Sequence, residues 1–163
     1  MIELDLNPMI YEMAQRKSDE MGKLKNSIRS GAGNLIGFVG ELAVCAYLKI
    51  LPCNTYDYDV IYRNVTLDIK TKECTSPPKS FYECSIASFN TTQKCKAYVF
   101  TRVCGYKVWI LGWKGKTEYF DQANFLRKGQ VDPSNNFTVK ADCYNLKISD
   151  LRCIEKINRD SHV

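Results

Sequence analysis

Residues 56–71 read YDYDVIYRNVTLDIKT and form the stretch around which the rest of the chain can be interpreted. Apolar and polar side chains alternate along it, which is typical of two half-buried β-strands. One face collects apolar side chains, namely Tyr58, Val60, Tyr62, Val65, Leu67 and Ile69. The other face collects Asp57, Asp59, Thr66, Asp68 and Lys70. The stretch therefore predicts a β-hairpin with one apolar and one acidic face.

The connection between these two strands determines which residues lie opposite each other. Arg63 and Asn64 sit between the two alternating runs and suit a two-residue turn. Such a turn pairs Tyr62 with Val65, and the antiparallel ladder then fixes every other pair of partners. The turn thus predicts the register of the whole hairpin.

This register places two aspartates face to face. Asp59 falls opposite Asp68, and Asp57 falls opposite Lys70. Like charges at directly opposite positions destabilise a sheet, and a divalent cation such as Mg²⁺ is a natural group to place between two carboxylates. The alternative is a solvated sheet face with an incidental cluster of charges. The hairpin taken alone leaves both interpretations open.

Length and charge indicate an ordinary globular protein. The chain has 163 residues, a formal net charge of +5 and a sequence pI near 8.7. These values predict one domain, residues 1–163, and permit an anionic partner such as nucleic acid without requiring one. No stretch is long and apolar enough to cross a membrane, and the first residues do not resemble a signal peptide. We therefore expect a cytoplasmic protein.

The cysteines and the histidine restrict the chemistry further. There are eight cysteines, with no Cys-x-x-Cys pair, at positions 45, 53, 74, 84, 95, 104, 143 and 153. Without a secretion signal, we expect free thiols, several of them in the core, and neither disulfides nor a zinc site. The one histidine, His162, lies next to the C-terminus. Acid–base chemistry must therefore come from carboxylates, lysine, tyrosine or metal-bound water.

Two helices are predicted before the hairpin, over residues 7–30 and 34–50. The first begins at Asn7-Pro8, because asparagine caps helices well and proline suits the first helical position. From Leu35 to Leu48 the second carries a single charged residue, Glu41, among apolar and small side chains. An unpaired buried carboxylate is costly, so Glu41 either forms a salt bridge in the core or faces the acidic side of the hairpin. Gly37 and Gly40 predict close packing of this helix against another element.

The remaining pattern predicts a mostly antiparallel sheet and a third helix. Strands are expected over residues 81–87, 96–103 and 106–113, with a hairpin turn at Cys104-Gly105, followed by a helix over 117–128 and an extended segment over 137–144. The fold class is therefore α+β. An N-terminal helix occupies 1–31, a core occupies 33–113, and a C-terminal helix with extended segments occupies 114–163.

The order of acidic residues resembles that of a known enzyme superfamily. A glutamate in an apolar helix, then an aspartate, then Asp-x-Lys on a strand is the pattern of the PD-(D/E)XK nucleases. Here Gly40-Glu41, Asp59 and Asp68-Ile69-Lys70 match it in order and in type of element. The layout looks most like the small phage-type members and the Holliday-junction-resolvase-like branch. The resemblance covers residues 33–103, and the proline that usually precedes the first aspartate is replaced by Tyr58.

The resemblance implies a fold and a metal site. The fold would be a restriction-endonuclease-like core, with a mixed, mostly antiparallel central sheet flanked by helices, and residues 33–113 would be its catalytic part. Asp59, Asp68 and the backbone carbonyl of Ile69 would bind Mg²⁺, for which we expect Mn²⁺ to substitute, and Glu41 would complete the shell directly or through water. Lys70 would activate the attacking water and stabilise charge on the phosphate.

Two further residues are candidates for accessory roles. Gln93 resembles a polar residue that some members place beside the site. Asp57 competes with Asp59 for the place of the first aspartate. We prefer Asp59 because it faces Asp68, and Asp57 would then orient Lys70 from the opposite strand.

The leading functional hypothesis is a Mg²⁺-dependent DNA endonuclease, which would act in the host cytoplasm if it is phage-encoded. A structure-selective Holliday junction resolvase acting as a homodimer is the first alternative. The second is a non-catalytic DNA-binding module on the same fold, with phosphate contacts from Lys72, Lys94 and Lys96 together with Lys70 and Arg102. A structural or inhibitory phage protein ranks last, because it leaves Glu41 and the acidic hairpin face unexplained.

Overall fold

The secondary structure follows the predicted order with several differences in extent. The computed structural model describes residues 1–21, 32–53, 55–133 and 135–157. The strands are β1 (Ile2–Asp5), β2 (Val60–Tyr62), β3 (Val65–Glu73), β4 (Glu83–Ala87), β5 (Ala97–Cys104), β6 (Lys107–Gly115), β7 (Asn124–Leu126) and β8 (Cys143–Lys147). The helices are α1 (Pro8–Met21), α2 (Ala32–Leu48) and α3 (Lys116–Gln122), and three short 3₁₀ turns complete the set.

The predicted hairpin is present with the predicted register. Arg63 and Asn64 both have positive φ, 49° and 66°, as a two-residue hairpin turn requires. Tyr62 pairs with Val65, and the ladder continues to the pair of Val60 and Leu67. The first strand is shorter than predicted, because β2 begins only at Val60.

A mixed sheet of five strands forms the centre of the fold. Its order is β1-β6-β5-β3-β2, in which β3 and β5 run parallel and the other three pairs run antiparallel. The parallel pair arises because β4 leaves this sheet between β3 and β5 and joins a second one. The α+β class is confirmed, and the restriction-endonuclease-like core stays a prediction.

The N-terminal strand β1 was not predicted. It pairs antiparallel with β6, with Ile2 opposite Ile110. Glu3 contributes to this contact, since its carboxylate accepts hydrogen bonds from the Lys107 ammonium and the Trp109 indole. A four-residue strand whose partner lies more than one hundred residues away leaves little local signal.

The C-terminal third differs most from the prediction. The helix predicted over 117–128 ends at Gln122, because Ala123 takes an extended conformation and β7 follows. The extended segment predicted over 137–144 is replaced by β8, which lies between β4 and β7 in a three-stranded sheet. The β5–β6 hairpin turns at Gly105-Tyr106, one residue later than predicted, with Cys104 opposite Lys107.

The five-stranded sheet is covered on both faces. On one face, α2 packs through Val44 and Cys45 against alternate residues of β3 and β5, such as Leu67 and Val99. On the other face, the three-stranded sheet and α3 cover a second apolar cluster. Its members include Tyr98, Phe100, Trp109, Leu111 and Tyr119. On the hairpin face that carries the aspartates, Asp68 is therefore buried and Asp59 half-buried, so the interpretation of a solvated acidic face is wrong.

Tyr58 is the one hairpin residue placed on the wrong face. It packs against the cluster of the second face, while Val60 and Leu67 belong to the first. The alternation fails at Tyr58 because the chain is not yet in the strand there.

The helices before the hairpin also differ in their limits. α1 begins at Pro8 as predicted, and the remainder of the predicted helix, residues 22–31, lies outside the described residues, as does His162. α2 ends at Leu48, after which Lys49 takes the left-handed conformation (φ 56°) common at helix C-termini. Among the helices that the structure describes, none is long and apolar enough to cross a membrane.

Candidate active site

Asp59 and Asp68 lie side by side at the end of the hairpin ladder. The backbone N–H of Asp59 donates to the Leu67 carbonyl (2.9 Å), which extends the pairing one residue beyond β2. The Asp59 side chain then turns back along β3, where its Oδ2 accepts a hydrogen bond from the Ile69 N–H at 2.6 Å. The local register and one charge-assisted hydrogen bond thus hold the Asp59 carboxylate beside its neighbour.

The surroundings make ionisation of Asp59 unfavourable. Burial is the largest cause, and the negative charge of Asp68 is the second; together they raise the pKa of Asp59 to about 7. Glu41 acts in the same direction, while the Ile69 N–H and the Lys70 ammonium act in the opposite one. Two carboxylates held together against their repulsion are typical of sites that bind a cation or transfer protons.

Asp68 carries a buried oxygen that is incompletely satisfied. The residue is only 2% exposed, and its Oδ2 lies 2.6 Å from the Lys70 Nζ. That contact meets the distance for an ion pair but not the angles of a hydrogen bond, and within the described chain this oxygen has no hydrogen-bond partner. The charge contact with Lys70 still stabilises the Asp68 carboxylate, because Coulomb attraction depends little on angle. The oxygen nevertheless retains capacity to accept a ligand.

Lys70 is held by two groups. Besides Asp68, its ammonium donates to the Gln93 Oε1 at 2.9 Å and lies 5.9 Å from the centre of the Tyr98 ring. The backbone carbonyl of Gln93 accepts a hydrogen bond from the Lys116 side chain, which fixes this loop. The structure thus brings Gln93 to Lys70, as the accessory role requires.

Glu41 forms a salt bridge with a residue of α1. The residue is 8% exposed, and its Oε1 lies 3.0 Å from the Lys17 Nζ. The salt-bridge interpretation of Glu41 is therefore confirmed. Its charge also acts on Asp59, and its place in a metal shell stays a prediction. In the described ranges, no three acidic, cysteine or histidine side chains are arranged to hold a metal ion. The carboxylate pair is therefore the candidate ligand set.

Gly40 brings α2 close to the strands beside the site. A Cβ at this position would lie 2.1 Å from the Thr71 Oγ1 and 2.5 Å from the Thr101 Oγ1, and these hydroxyls hydrogen-bond each other at 2.9 Å. The close packing predicted from the glycines is confirmed at Gly40. At Gly37 the backbone carbonyl accepts a hydrogen bond from the Thr71 hydroxyl (3.4 Å), although a Cβ there would meet nothing within 4 Å.

Asp57 does not face Lys70. Because β2 begins at Val60, Asp57 lies outside the ladder, and its Oδ1 instead accepts a hydrogen bond from the backbone N–H of Lys94 (3.3 Å). The orienting role predicted for Asp57 is therefore wrong, and the preference for Asp59 agrees with the geometry.

The other predicted residues are distributed around the site. Lys72, Lys94 and Lys96 are all exposed, Lys72 on β3 and the other two before β5. The role of the Ile69 backbone carbonyl as a metal ligand stays a prediction.

Sequence reasoning missed Lys17 and Tyr98. Tyr98 lies opposite Asp68 across the parallel pair, is fully buried, and has a hydroxyl without a hydrogen-bond partner among the described residues. Its position in the apolar run of residues 97–100 identifies it only as core. No sequence pattern marked Lys17 as the partner of Glu41, because this contact depends on how α1 packs on α2.

No protein-family model matches this chain, and no curated protein is significantly similar to it in sequence. The geometry of Asp59, Asp68 and Lys70 is therefore the main guide to the chemistry of this site.

Proposed function

We propose that the protein is a Mg²⁺-dependent endonuclease that hydrolyses phosphodiester bonds in DNA. The observation that supports it most is the pair of neighbouring carboxylates, half-buried Asp59 and buried Asp68, with the Lys70 ammonium 2.6 Å from the Asp68 carboxylate. This combination matches the acidic pair and lysine that the resemblance implies. This chemistry also requires no histidine, which suits a chain whose one histidine is at position 162.

The residues fit a magnesium ion. Mg²⁺ prefers oxygen ligands and is commonly bound by one or two carboxylates, with water and substrate phosphate completing its shell. Asp59 and Asp68 would hold it, and the Asp68 Oδ2 has the free acceptor capacity that such a ligand needs. Glu41, engaged by Lys17, would contribute through water. When bound, the ion supplies a polarised phosphoryl oxygen and a more acidic water molecule.

Lys70 has the position and charge to stabilise the reacting phosphate. Its ammonium lies at the carboxylate pair and can donate to a phosphate oxygen as negative charge develops there. Gln93 limits the directions in which this side chain can point, because its Oε1 accepts one of the ammonium hydrogens. In this proposal Gln93 is a positioning residue that acts through Lys70.

The proposal is tested by incubating the protein with labelled nucleic acids in Mg²⁺, in Mn²⁺ and in chelator. The panel contains linear duplex DNA, single-stranded DNA, a four-way junction and RNA. We expect cleavage of DNA that requires the metal and disappears in Asp68→Ala and Lys70→Ala, and that persists in Lys156→Ala, an exposed lysine outside the site. A folded wild-type protein that cuts nothing in the panel would refute the proposal, and symmetric cutting of the junction alone would favour a dimeric resolvase.

A non-catalytic DNA-binding module is the second candidate. It is favoured by the lack of a three-ligand cluster in the described ranges and by the exposed cations Lys72, Lys94 and Lys96. In that case Asp68→Asn would leave DNA binding and function intact, whereas reversing the charge of these three lysines would abolish both.

A further inference from the structure

A cleft of about 690 Å³ begins at Lys70 and extends away from the carboxylate pair. One wall is formed by β3 and β5, and the other by β4, β8 and the residues around Val139. The volume lies within the range of about 300–1,000 Å³ typical of sites for small organic molecules. It therefore suits a group of nucleotide size and is too small to enclose a double helix.

Two cations on the floor of this cleft lack a carboxylate partner. Lys72 and Arg102 lie directly opposite each other on β3 and β5. Arg102 is only 7% exposed, yet its guanidinium donates to the neutral backbone carbonyl of Glu83 (3.0 Å) and lies 5.1 Å from the Tyr82 ring. Within the described chain, neither cation is in an ion pair.

Lys72 shows the effect of this arrangement. Burial within the cleft and the charge of Arg102 lower its pKa, although the residue as a whole is exposed. Two adjacent cations in a concave, partly dehydrated site favour an anion such as a phosphate group.

The acidic residues of the cleft are already engaged. The Glu83 Oε2 and the Asp132 Oδ2 each accept a hydrogen bond from the Asn145 side-chain amide, both at 3.1 Å. The amide thus holds both carboxylates against the wall formed by β4 and β8. Lys72 and Arg102 thus line the cleft without an ion pair in the described chain, although the charge of Glu83 acts on Lys72 and opposes the lowering of its pKa.

Three exposed phenylalanines line the same cleft. Phe81, Phe89 and Phe137 are 61%, 48% and 54% exposed. Such exposure of large apolar rings is unfavourable in a free protein and often marks a binding surface. Aromatic faces combined with cations are the usual means of binding single-stranded nucleic acid, because each unpaired base can stack on a ring while its phosphate meets a cation.

We propose that this cleft binds an unpaired DNA strand next to the bond that is cut. Lys72 and Arg102 would contact its phosphates, and Phe81, Phe89 and Phe137 would stack on its bases. A base inside a duplex already stacks on its neighbours and cannot reach these rings. The substrate of the proposed nuclease is therefore single-stranded DNA, or a single-stranded segment at a branch or end. This inference rests on the proposed function for the cleavage step.

The test measures binding by fluorescence anisotropy in chelator, so that no cleavage occurs. A labelled single strand is compared with the duplex of the same sequence and with an acidic peptide of similar charge. We expect the single strand to bind tightest. Phe81→Ala and Phe89→Ala should weaken it roughly 5- to 50-fold each. Tyr106→Ala, an 87% exposed aromatic on the β5–β6 turn, is the matched control and should change binding less than twofold.

Three results would overturn the cleft proposal: no binding of the single strand, equal sensitivity to Tyr106→Ala, or tighter binding of the duplex or the peptide. Addition of Mg²⁺ to the same samples separates this proposal from the nuclease itself. If the phenylalanine variants bind the single strand weakly but no substrate is ever cut, the cleft stands and the nuclease fails. If duplex and single strand are cut alike by wild type and both variants, the nuclease stands and the cleft fails.

Discussion

At the scale of single residues, the central feature is a carboxylate held in an unfavourable environment. Asp59 lies half-buried beside Asp68, and its Oδ2 is fixed by the Ile69 N–H at 2.6 Å. A protein gains no stability from placing two carboxylates together, so such an arrangement commonly indicates function. The stability of the metal-free protein should reveal it.

Asp59→Asn should stabilise the metal-free protein above pH 7. The folded-state pKa of Asp59 is raised from 3.8 to about 7, so the folded protein holds this proton more tightly than the unfolded chain. The free energy of unfolding therefore falls as the pH rises from about 4 to 7 and is level above that. Asparagine removes the fall and keeps an acceptor for the Ile69 N–H, which predicts a gain of about 1–3 kcal/mol at pH 8.

Urea unfolding in chelator at several pH values measures this effect. Asp57→Asn is the matched control, because it makes the same chemical change two residues away, outside the carboxylate pair. The control should follow the wild-type pH dependence. If Asp59→Asn also follows it, the interpretation of Asp59 is wrong.

At the scale of elements, Gly40 sets how closely α2 approaches the sheet. Gly40→Ala introduces a Cβ into a space that the Thr71 and Thr101 hydroxyls already occupy. We expect a loss of about 1–3 kcal/mol, because overpacking outweighs the higher helix propensity of alanine. Gly37→Ala lies in the same helix with nothing within 4 Å and should be neutral or stabilising by up to about 1 kcal/mol. Thermal and urea unfolding of both variants would show the difference, and equal effects would contradict it.

The predictable elements are those whose signal is local. The hairpin register followed from Arg63 and Asn64, because two residues with positive φ determine every pair on the adjoining strands. The nearness of Asp59 and Asp68 then followed by counting, although Asp59 lies one residue before β2. β1 and β7 could not be predicted, because each is only a few residues long. β1 pairs with β6, which is far away in the sequence, and β7 pairs with β8, whose position was itself wrongly predicted.

At the scale of the whole molecule, the site depends on a sheet that is covered on both faces. The sequence indicated the apolar face beneath α2 but not the second sheet that covers the acidic face. That cover is formed by β4, β7 and β8, whose pairing is long-range. For the same reason, the salt bridge of Glu41 with Lys17 and the aromatic cleft could not be predicted from the residues alone.

Tyr119 joins α3 to the second sheet and should stabilise it measurably. Its ring is fully buried, and its hydroxyl lies 2.9 Å from the Cys84 carbonyl on β4 and 2.7 Å from the Tyr144 carbonyl on β8. Tyr119→Phe should lower the free energy of unfolding by about 1–2 kcal/mol and speed hydrogen exchange in β4 and β8. Tyr106→Phe, on an exposed turn, should change neither, and an unchanged exchange rate in Tyr119→Phe would contradict this role.

The most direct test of the proposed active site compares two neighbouring aspartates in one assay. The single-turnover rate of DNA cleavage at saturating Mg²⁺ is measured for wild type, Asp59→Asn and Asp57→Asn. We predict a loss of about 100-fold or more in Asp59→Asn, because a metal-binding carboxylate is removed, and a change of less than about threefold in Asp57→Asn. A wild-type rate in Asp59→Asn, or a larger loss in Asp57→Asn, would contradict the assignment of Asp59 and Asp68 as the metal-binding pair.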